Sequence, residues 1–182
     1  TTYVFSDYFQ KYSETFNRTA LEDQAVYKQY SNVKVHSKKS SYDKEFRTTI
    51  SQNFQKATEI VDLYKSEDYA DNIKNNYALS AEEHYYKVRY DYTDNHFSRI
   101  VKITDSTHFK NQVDKIEQYK TYYKGHKLVQ NFQLKYYFPR KIQSVSNPLA
   151  TISADRKSLS LQLLLTDCLQ NPEITNLEVV LE

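Results

Sequence analysis

A strand-strand-helix pattern is written twice into this chain, from Val33 to Lys65 and again from Tyr86 to Lys120. In each copy an alternating stretch, opening at Lys34-Val35 or Lys87-Val88, meets a polar turn, a second alternating stretch and then a run with helical spacing that ends in Tyr-Lys. Alternation with period two marks a strand covered on one face, and apolar residues three and four apart mark a helix covered on one side. Two strands joined by a short turn run antiparallel. The expected fold is therefore α+β: a mostly antiparallel sheet with helices on one face, built around a duplicated strand-strand-helix unit. At 182 residues the chain is long enough for one well-buried core, or for two small lobes sharing a sheet. No low-complexity linker divides it, so a single domain over residues 1–182 is expected, with the repeat at 33–65 and 86–120 and a strand-rich part over 126–182.

Gly125 is the only glycine. A phosphate-cradling loop, a dinucleotide-binding turn and a serine-hydrolase nucleophile elbow each need several glycines, because the backbone must turn sharply or approach a ligand closely. All three are excluded in their usual forms. Turns fall to Asn, Asp and Ser, as in Ser40-Ser41-Tyr42-Asp43 and Thr93-Asp94-Asn95. Cys168 is the only cysteine, which rules out an intrachain disulfide and leaves the redox compartment open. Its neighbours Leu163, Leu164, Leu165 and Leu169 predict a buried, inert thiol. The 25 Lys and Arg are interspersed with 23 Asp and Glu, the pattern of a solvated surface, so nucleic acid is not an expected partner. No run approaches the ~20 apolar residues of a membrane helix.

Thr2–Phe9 and Lys11–Arg18, rich in Tyr, Phe and Thr, read as an opening hairpin, with a helix over Tyr8–Phe16 as the alternative. Thr19 and Glu22 have capping-box spacing, which predicts a helix over Ala20–Tyr30. The first repeat predicts strands near Asn32–Lys38 and Glu45–Phe54 and a helix over Ala57–Lys65. The polar connector from Ser66 to Ala81 carries Tyr69, Ile73 and Tyr77 at spacings of four, as in a short amphipathic helix. The second repeat predicts strands near Tyr85–Tyr92 and Phe97–Thr104 and a helix over Thr107–Tyr123, with Gly125 at its C-terminal end. Beyond it, strands are expected over Lys127–Phe138, Lys141–Ser146, Ala150–Ser153, Lys157–Leu165 and Leu177–Leu181, with one helical turn between Thr166-Asp167 and Asn171-Pro172.

The chain holds 18 Tyr and 9 Phe, and many Tyr occupy alternating positions suited to a half-wet sheet, so sheet packing accounts for most of them. In Tyr85-Tyr86, Tyr122-Tyr123 and Tyr136-Tyr137, where they lie in strands, one ring of each pair faces away from any single core. With Arg140, Lys141, Lys87, Arg89 and Lys135 nearby in sequence, these outward rings are the candidate contact surface for a glycan, a lipid or a partner protein. If the protein works by association, they should form a contiguous exposed aromatic patch. Of the five histidines, His36, His84, His96, His108 and His126, none has the helical pairing or cysteine partner of a zinc signature. Asp91, Asp94 and His96 at a hairpin turn could present ligands to a divalent cation, though Asp94-Asn95 is also what a plain turn needs. No catalytic residue, metal ligand or cofactor is expected.

Phe138-Pro139-Arg140-Lys141-Ile142, Ser144-Val145-Ser146-Asn147, Ile152-Ser153-Ala154-Asp155, Asn171-Pro172-Glu173 and Leu177-Glu178-Val179 together resemble the ending of a group of predicted outer-membrane lipoproteins from flavobacteria and other Bacteroidota. The stretch from Asn32-Val33-Lys34-Val35-His36 through Ile50, with the helix expected after it, is similar to the middle of those proteins. Arg156 departs from the pattern, standing where a turn glycine is usual. The resemblance implies export, cleavage before a lipidated cysteine upstream of Thr1, and residence at the outer membrane facing the periplasm or the cell surface. It carries over no site residues. The resulting expectation is a non-enzymatic envelope component that binds another envelope protein or supports an assembly. Its alternatives are a glycan- or lipid-binding surface domain and a metal-dependent hydrolase using the Asp91, Asp94 and His96 turn.

Overall fold

The computed structural model describes residues 1–66, 69, 70, 85–125 and 130–182. The fold is α+β, and every strand pairing among the described residues is antiparallel. The chain divides into two compact units, Thr1–Glu83 and His84–Glu182, and the repeat places one copy in each. Among the described residues the strands form three sheets. Most of the connector helix expected around Tyr69, Ile73 and Tyr77 lies outside the described residues.

In the first unit β1 (Thr2–Val4), β2 (Lys34–Ser40) and β3 (Glu45–Ser51) form one sheet in that order. Val35 is fully buried between its cross-strand neighbours Tyr3 and Ile50. The opening hairpin is not formed. Val4 leads directly into α1 (Phe5–Lys11) and α2 (Ser13–Arg18), which follow the alternative helical reading. Phe5, Tyr8, Phe9, Tyr12 and Phe16 recur at three and four, so a helix gathers on one stripe rings that a strand would split between two faces. Their centroids stand 5.4 Å apart for Phe5 and Phe9 and 4.5 Å apart for Phe9 and Phe16. The Asp7 carboxylate accepts the Val4 N–H at 3.1 Å and fixes where α1 starts.

The helix α3 (Leu21–Lys28) starts one residue later than expected and without its capping box. Thr19 instead turns its hydroxyl back onto the Thr15 carbonyl at 3.0 Å, closing α2. The helices bury Phe5, Phe16, Tyr27 and Tyr30 against Val33, Val35, Val61 and Tyr69. Rings continue through this core, Phe16 to Tyr27 at 6.3 Å and Tyr69 to both Tyr27 and Tyr30 at 5.3 and 5.0 Å. Such pairs contribute about 0.5–1.5 kcal/mol each beyond their buried area. Burial pushes the Tyr27 phenol well above its ordinary range, with Asp23 and Tyr69 adding to the effect.

The helix expected over Ala57–Lys65 is replaced by two short 3-10 turns, Ala57–Glu59 and Leu63–Lys65, with Ile60 extended between them. The cause is Gln52. Its amide donates to the Glu59 carbonyl at 2.7 Å and accepts from the Val61 N–H at 3.1 Å, so it occupies the backbone groups a helix would pair internally.

In the second unit β4 (Tyr86–Thr93) and β5 (His96–Ile103) pair over their whole length, followed by α4 (Ser106–Tyr122). All three lie within a residue or so of the predicted bounds. Asp105 caps α4 by accepting the His108 N–H at 2.8 Å. β6 (Asn131–Tyr137), β7 (Ile142–Val145), β8 (Thr151–Ile152), β9 (Ser158–Leu164), α5 (Leu165–Gln170) and β10 (Leu177–Leu181) complete the unit. One sheet has the order β4-β5-β10-β7 and the other β6-β9-β8, so the last strand of the chain sits inside a sheet, between β5 and β7. Phe97 on β5 is nearly fully buried, with the rings of Tyr136 and Phe138 each 5.3 Å away. The two sheets of this unit meet there.

Scarcity of glycine shows in the turns. Lys44, Asp94 and Arg156 all adopt left-handed backbone, with φ of 52°, 55° and 59°, each in a hairpin turn. The sequence places Asp94 in the Thr93-Asp94-Asn95 turn and Arg156 in a tight Ala154-Asp155-Arg156 hairpin turn, while Lys44 follows the Ser40–Asp43 turn it predicts. An L-residue there costs about 1 kcal/mol or more. Arg156 offsets that cost with its side chain, which donates through Nε to the Ile142 carbonyl at 2.9 Å while its own carbonyl accepts the Ile142 N–H at 2.7 Å. The exposed Lys44 side chain makes no such bond among the described residues. Lys44→Gly is expected to raise stability by about 0.5–1 kcal/mol. Arg156→Gly is expected to lower it by roughly 1 kcal/mol, and Arg156→Ala by more, because Ala loses the bonds and keeps the strain. Urea midpoints of the three variants check the order.

Candidate interaction surface

The tyrosines singled out by sequence do not form one patch. Tyr85 is 8% exposed and packs its ring 5.4 Å from His108 and 5.7 Å from Phe109, seating α4 at the start of β4. Burial raises its phenol pKa, in keeping with a packing role. Tyr86 is half-buried opposite Ile103. Tyr136 is half-buried opposite Leu159 and shares a 3.4 Å hydroxyl contact with Tyr90. Its neighbour Tyr137 points the other way, 68% exposed, with the Lys135 ammonium 5.2 Å above its ring. The alternation along β6 produces this split, as the sequence implied.

Arg140 is a brace. Its guanidinium donates to the Asp94 carbonyl at 2.6 Å, the Tyr92 hydroxyl at 3.4 Å and the Glu182 carbonyl at 3.2 Å, tying the β4–β5 turn to the end of β10. Lys141 accepts the Glu182 N–H with its backbone carbonyl while its side chain stays exposed. Among the described residues, neither Arg140 nor Lys141 lies over the ring of a tyrosine in these pairs.

The Asp91, Asp94 and His96 turn is occupied by its own geometry. One Asp91 carboxylate oxygen accepts the Tyr92 N–H at 2.9 Å and lies 3.5 Å from the Thr93 hydroxyl. Thr93 pairs with His96, so Asp94 and Asn95 are the two turn residues. Among the described residues no three His, Cys, Asp or Glu side chains come together as a metal site.

What the structure does gather is the C-terminal half of α4. Its inner stripe, Phe109, Val113, Ile116 and Lys120, is half-buried as the spacing predicts. On the outer side Asp114, Glu117, Gln118, Thr121 and Tyr122 line a shallow, open groove of about 570 Å3. Tyr122 is 79% exposed at one end, 4.9 Å from the Tyr123 ring, which in turn lies 4.6 Å from Tyr119. Among the described residues no ring contact joins this cluster to Tyr136 or Tyr137. α5 supports the groove from behind: Lys120 donates to Asp167 at 3.2 Å and to the Gln170 amide oxygen, and the Gln170 amide donates to Glu117 at 2.9 Å. That last bond holds one Glu117 oxygen and sets the carboxylate's direction.

The groove combines two carboxylates, an amide, a hydroxyl and an aromatic face. Such a set accepts hydrogen bonds and cations and offers a ring for stacking. Sequence reasoning found Tyr122 and Tyr123 and missed Asp114, Glu117, Gln118 and Tyr119. Their spacing of three and four was legible as the solvent side of a helix, but polar outer faces are common, and the support from Gln170 joins residues 53 apart in sequence.

Cys168 on α5 is buried, as expected, and is a free thiol. Burial pushes its pKa up to about 11, with the Asp167 charge adding to the shift and Arg99 opposing it. The folded chain holds the thiol proton more tightly than the unfolded chain does. The associated stability is therefore present at neutral pH and is lost as pH rises towards 11. At pH 8 a thiol-disulfide reagent should react with Cys168 only on unfolding, at a rate that follows denaturant-induced opening; rapid modification of the native protein would contradict the burial.

No family model, curated protein or solved structure matches the chain.

Proposed function

We propose that the chain is a non-enzymatic, exported component of the bacterial outer envelope, held by an upstream lipid anchor, that binds a partner protein through the outer groove of α4. The exposed Tyr122 ring beside the paired carboxylates of Asp114 and Glu117 carries the reading. A solvent-exposed ring with acceptors at fixed helical spacing suits a basic segment of a partner, its guanidinium stacked on Tyr122 and its charge met by Asp114 and Glu117. Compartment and anchor rest on the resemblance to predicted outer-membrane lipoproteins. The non-enzymatic reading is supported by the Asp91 carboxylate, one oxygen of which accepts the Tyr92 N–H within the turn.

The test is affinity capture of the tagged, anchor-bearing protein from solubilised native envelopes, repeated with variants. Tyr122→Ser combined with Glu117→Lys should reduce recovery of a specific partner by roughly tenfold or more, the size expected for losing a central ring and reversing a charge. Tyr137→Ser, away from the groove, should leave recovery unchanged, and circular dichroism should report the same fold for all. Recovery of the protein alone, or of a partner indifferent to the groove variants, overturns the proposal. Loss of recovery on adding free sugar would assign the groove to a glycan instead.

A further inference from the structure

The near-neutral charge of the whole chain conceals a local excess on the β2–β3 hairpin. β1 pairs with β2 from Lys34 to His36, and the Ser37 carbonyl and N–H each bond to Thr1 at 2.9 Å. Beyond Ser37, β2 and β3 stay paired as a hairpin arm through Lys38 and Arg47, Lys39 and Phe46, and Ser40 and Glu45. The arm shares a face with the core: Val35 opposite Ile50, then Ser37 opposite Thr48, then Lys39 opposite Phe46. Along that face burial gives way to exposure, and Phe46 is 73% exposed while Tyr42, in the turn, is 97% exposed.

The cations of the arm are divided in their use. Glu45 is bridged by Lys38 at 3.0 Å and by Arg47 at 2.9 Å, and these two hold its carboxyl below the usual range, the Lys38 hydrogen bond foremost. Lys39 and Lys44 take part in no ion pair among the described residues. Lys39 stands directly across the ladder from Phe46, and Lys44 follows the tip that carries Tyr42.

We infer that this arm is an anchor for an anionic lipid surface, with Phe46 and Tyr42 entering the headgroup boundary and Lys39 and Lys44 meeting lipid phosphates. The exposed apolar area of the arm is two aromatic rings, Tyr42 and Phe46, with Lys39 across the ladder from Phe46 and Lys44 beside the tip, the pairing of rings and cations that suits an anionic headgroup boundary. Phe and Tyr prefer that boundary, and lysine stems lie along apolar surface while their ammonium groups reach outward to negative charge. Two rings and two unpaired lysines give weak, reversible, salt-sensitive attachment.

The inference is independent of the α4 groove and is tested apart from it. The anchor-free chain is sedimented with vesicles of mixed phosphatidylcholine and phosphatidylglycerol, and with phosphatidylcholine alone. Binding is expected to the mixed vesicles and to fade with added salt. Lys39→Gln with Lys44→Gln should weaken it by about 25-fold, from roughly fivefold for each lysine. Phe46→Ser should weaken it by about tenfold. The chain contains no tryptophan, so Tyr42→Trp supplies a single reporter whose emission should shift to the blue on the mixed vesicles. Tyr137→Ser serves as the neutral control. Equal binding to neutral vesicles, indifference to the lysine and Phe46 variants, or an unshifted reporter overturns the inference. So does preference for a nucleic acid oligomer over vesicles at the same salt.

Discussion

The buried guanidinium of Arg99 is the contact around which the second unit is arranged. It sits on the inward face of β5, between the buried Phe97 and Val101, and donates to both the carbonyl and the hydroxyl of Thr175. A charge removed from water costs several kcal/mol unless it is met by directed acceptors, so the segment carrying Thr175 is held where the guanidinium requires it. Thr175 passes the constraint on by donating to the Pro172 carbonyl at 2.7 Å. Asn176 accepts the Val101 N–H at 2.7 Å, and Asn147 donates to the carbonyls of Ile174 and Asn176, both at 2.9 Å. Pinned at its start, β10 enters the sheet with Leu177 opposite Arg99 and Val179 opposite Phe97. The register of the central strand thus follows from one buried charge and its neighbours.

Scarcity of glycine shapes the rest. A chain with one glycine still has to reverse direction at each hairpin, and it does so with Lys44, Asp94 and Arg156 in left-handed backbone. Asp94 makes a turn that Arg140 ties down through the Asp94 carbonyl. Arg156 makes another and spends its guanidinium on the Ile142 carbonyl, linking the β8–β9 hairpin to β7. The basic residues that looked available for a ligand are therefore partly structural. Lys44 has no comparable duty, which leaves it exposed at the tip of the arm.

The groove on α4 depends on packing elsewhere. Tyr85 and Phe109 seat the helix, Lys120 joins it to α5, and Gln170 orients Glu117. The supports come from Tyr85 before β4 and from α5, and together they hold the helix that carries Asp114, Glu117 and Tyr122. A binding surface on a braced helix loses less conformational entropy on association than the same side chains on a loop.

Period alone determined much of this protein. The alternation Tyr86, Val88, Tyr90 and Tyr92 specified β4 and its covered face, the three-and-four spacing of Phe109, Val113 and Ile116 specified α4, and Leu177 to Leu181 specified the closing strand, because these signals are local and each is satisfied by burying one face. Tertiary structure decided what local signals leave open. Gln52 took the backbone groups of Glu59 and Val61 and replaced an expected helix with two 3-10 turns; Thr19 turned back to Thr15 and left its capping box unmade. Which member of each tyrosine pair faces water was likewise settled by sheet register and helix seating, burying Tyr85 and exposing Tyr122 and Tyr137. A side chain with two possible hydrogen-bond partners, or a ring with two possible faces, is assigned by whichever groups distant in sequence arrive beside it, and no local pattern records that arrival.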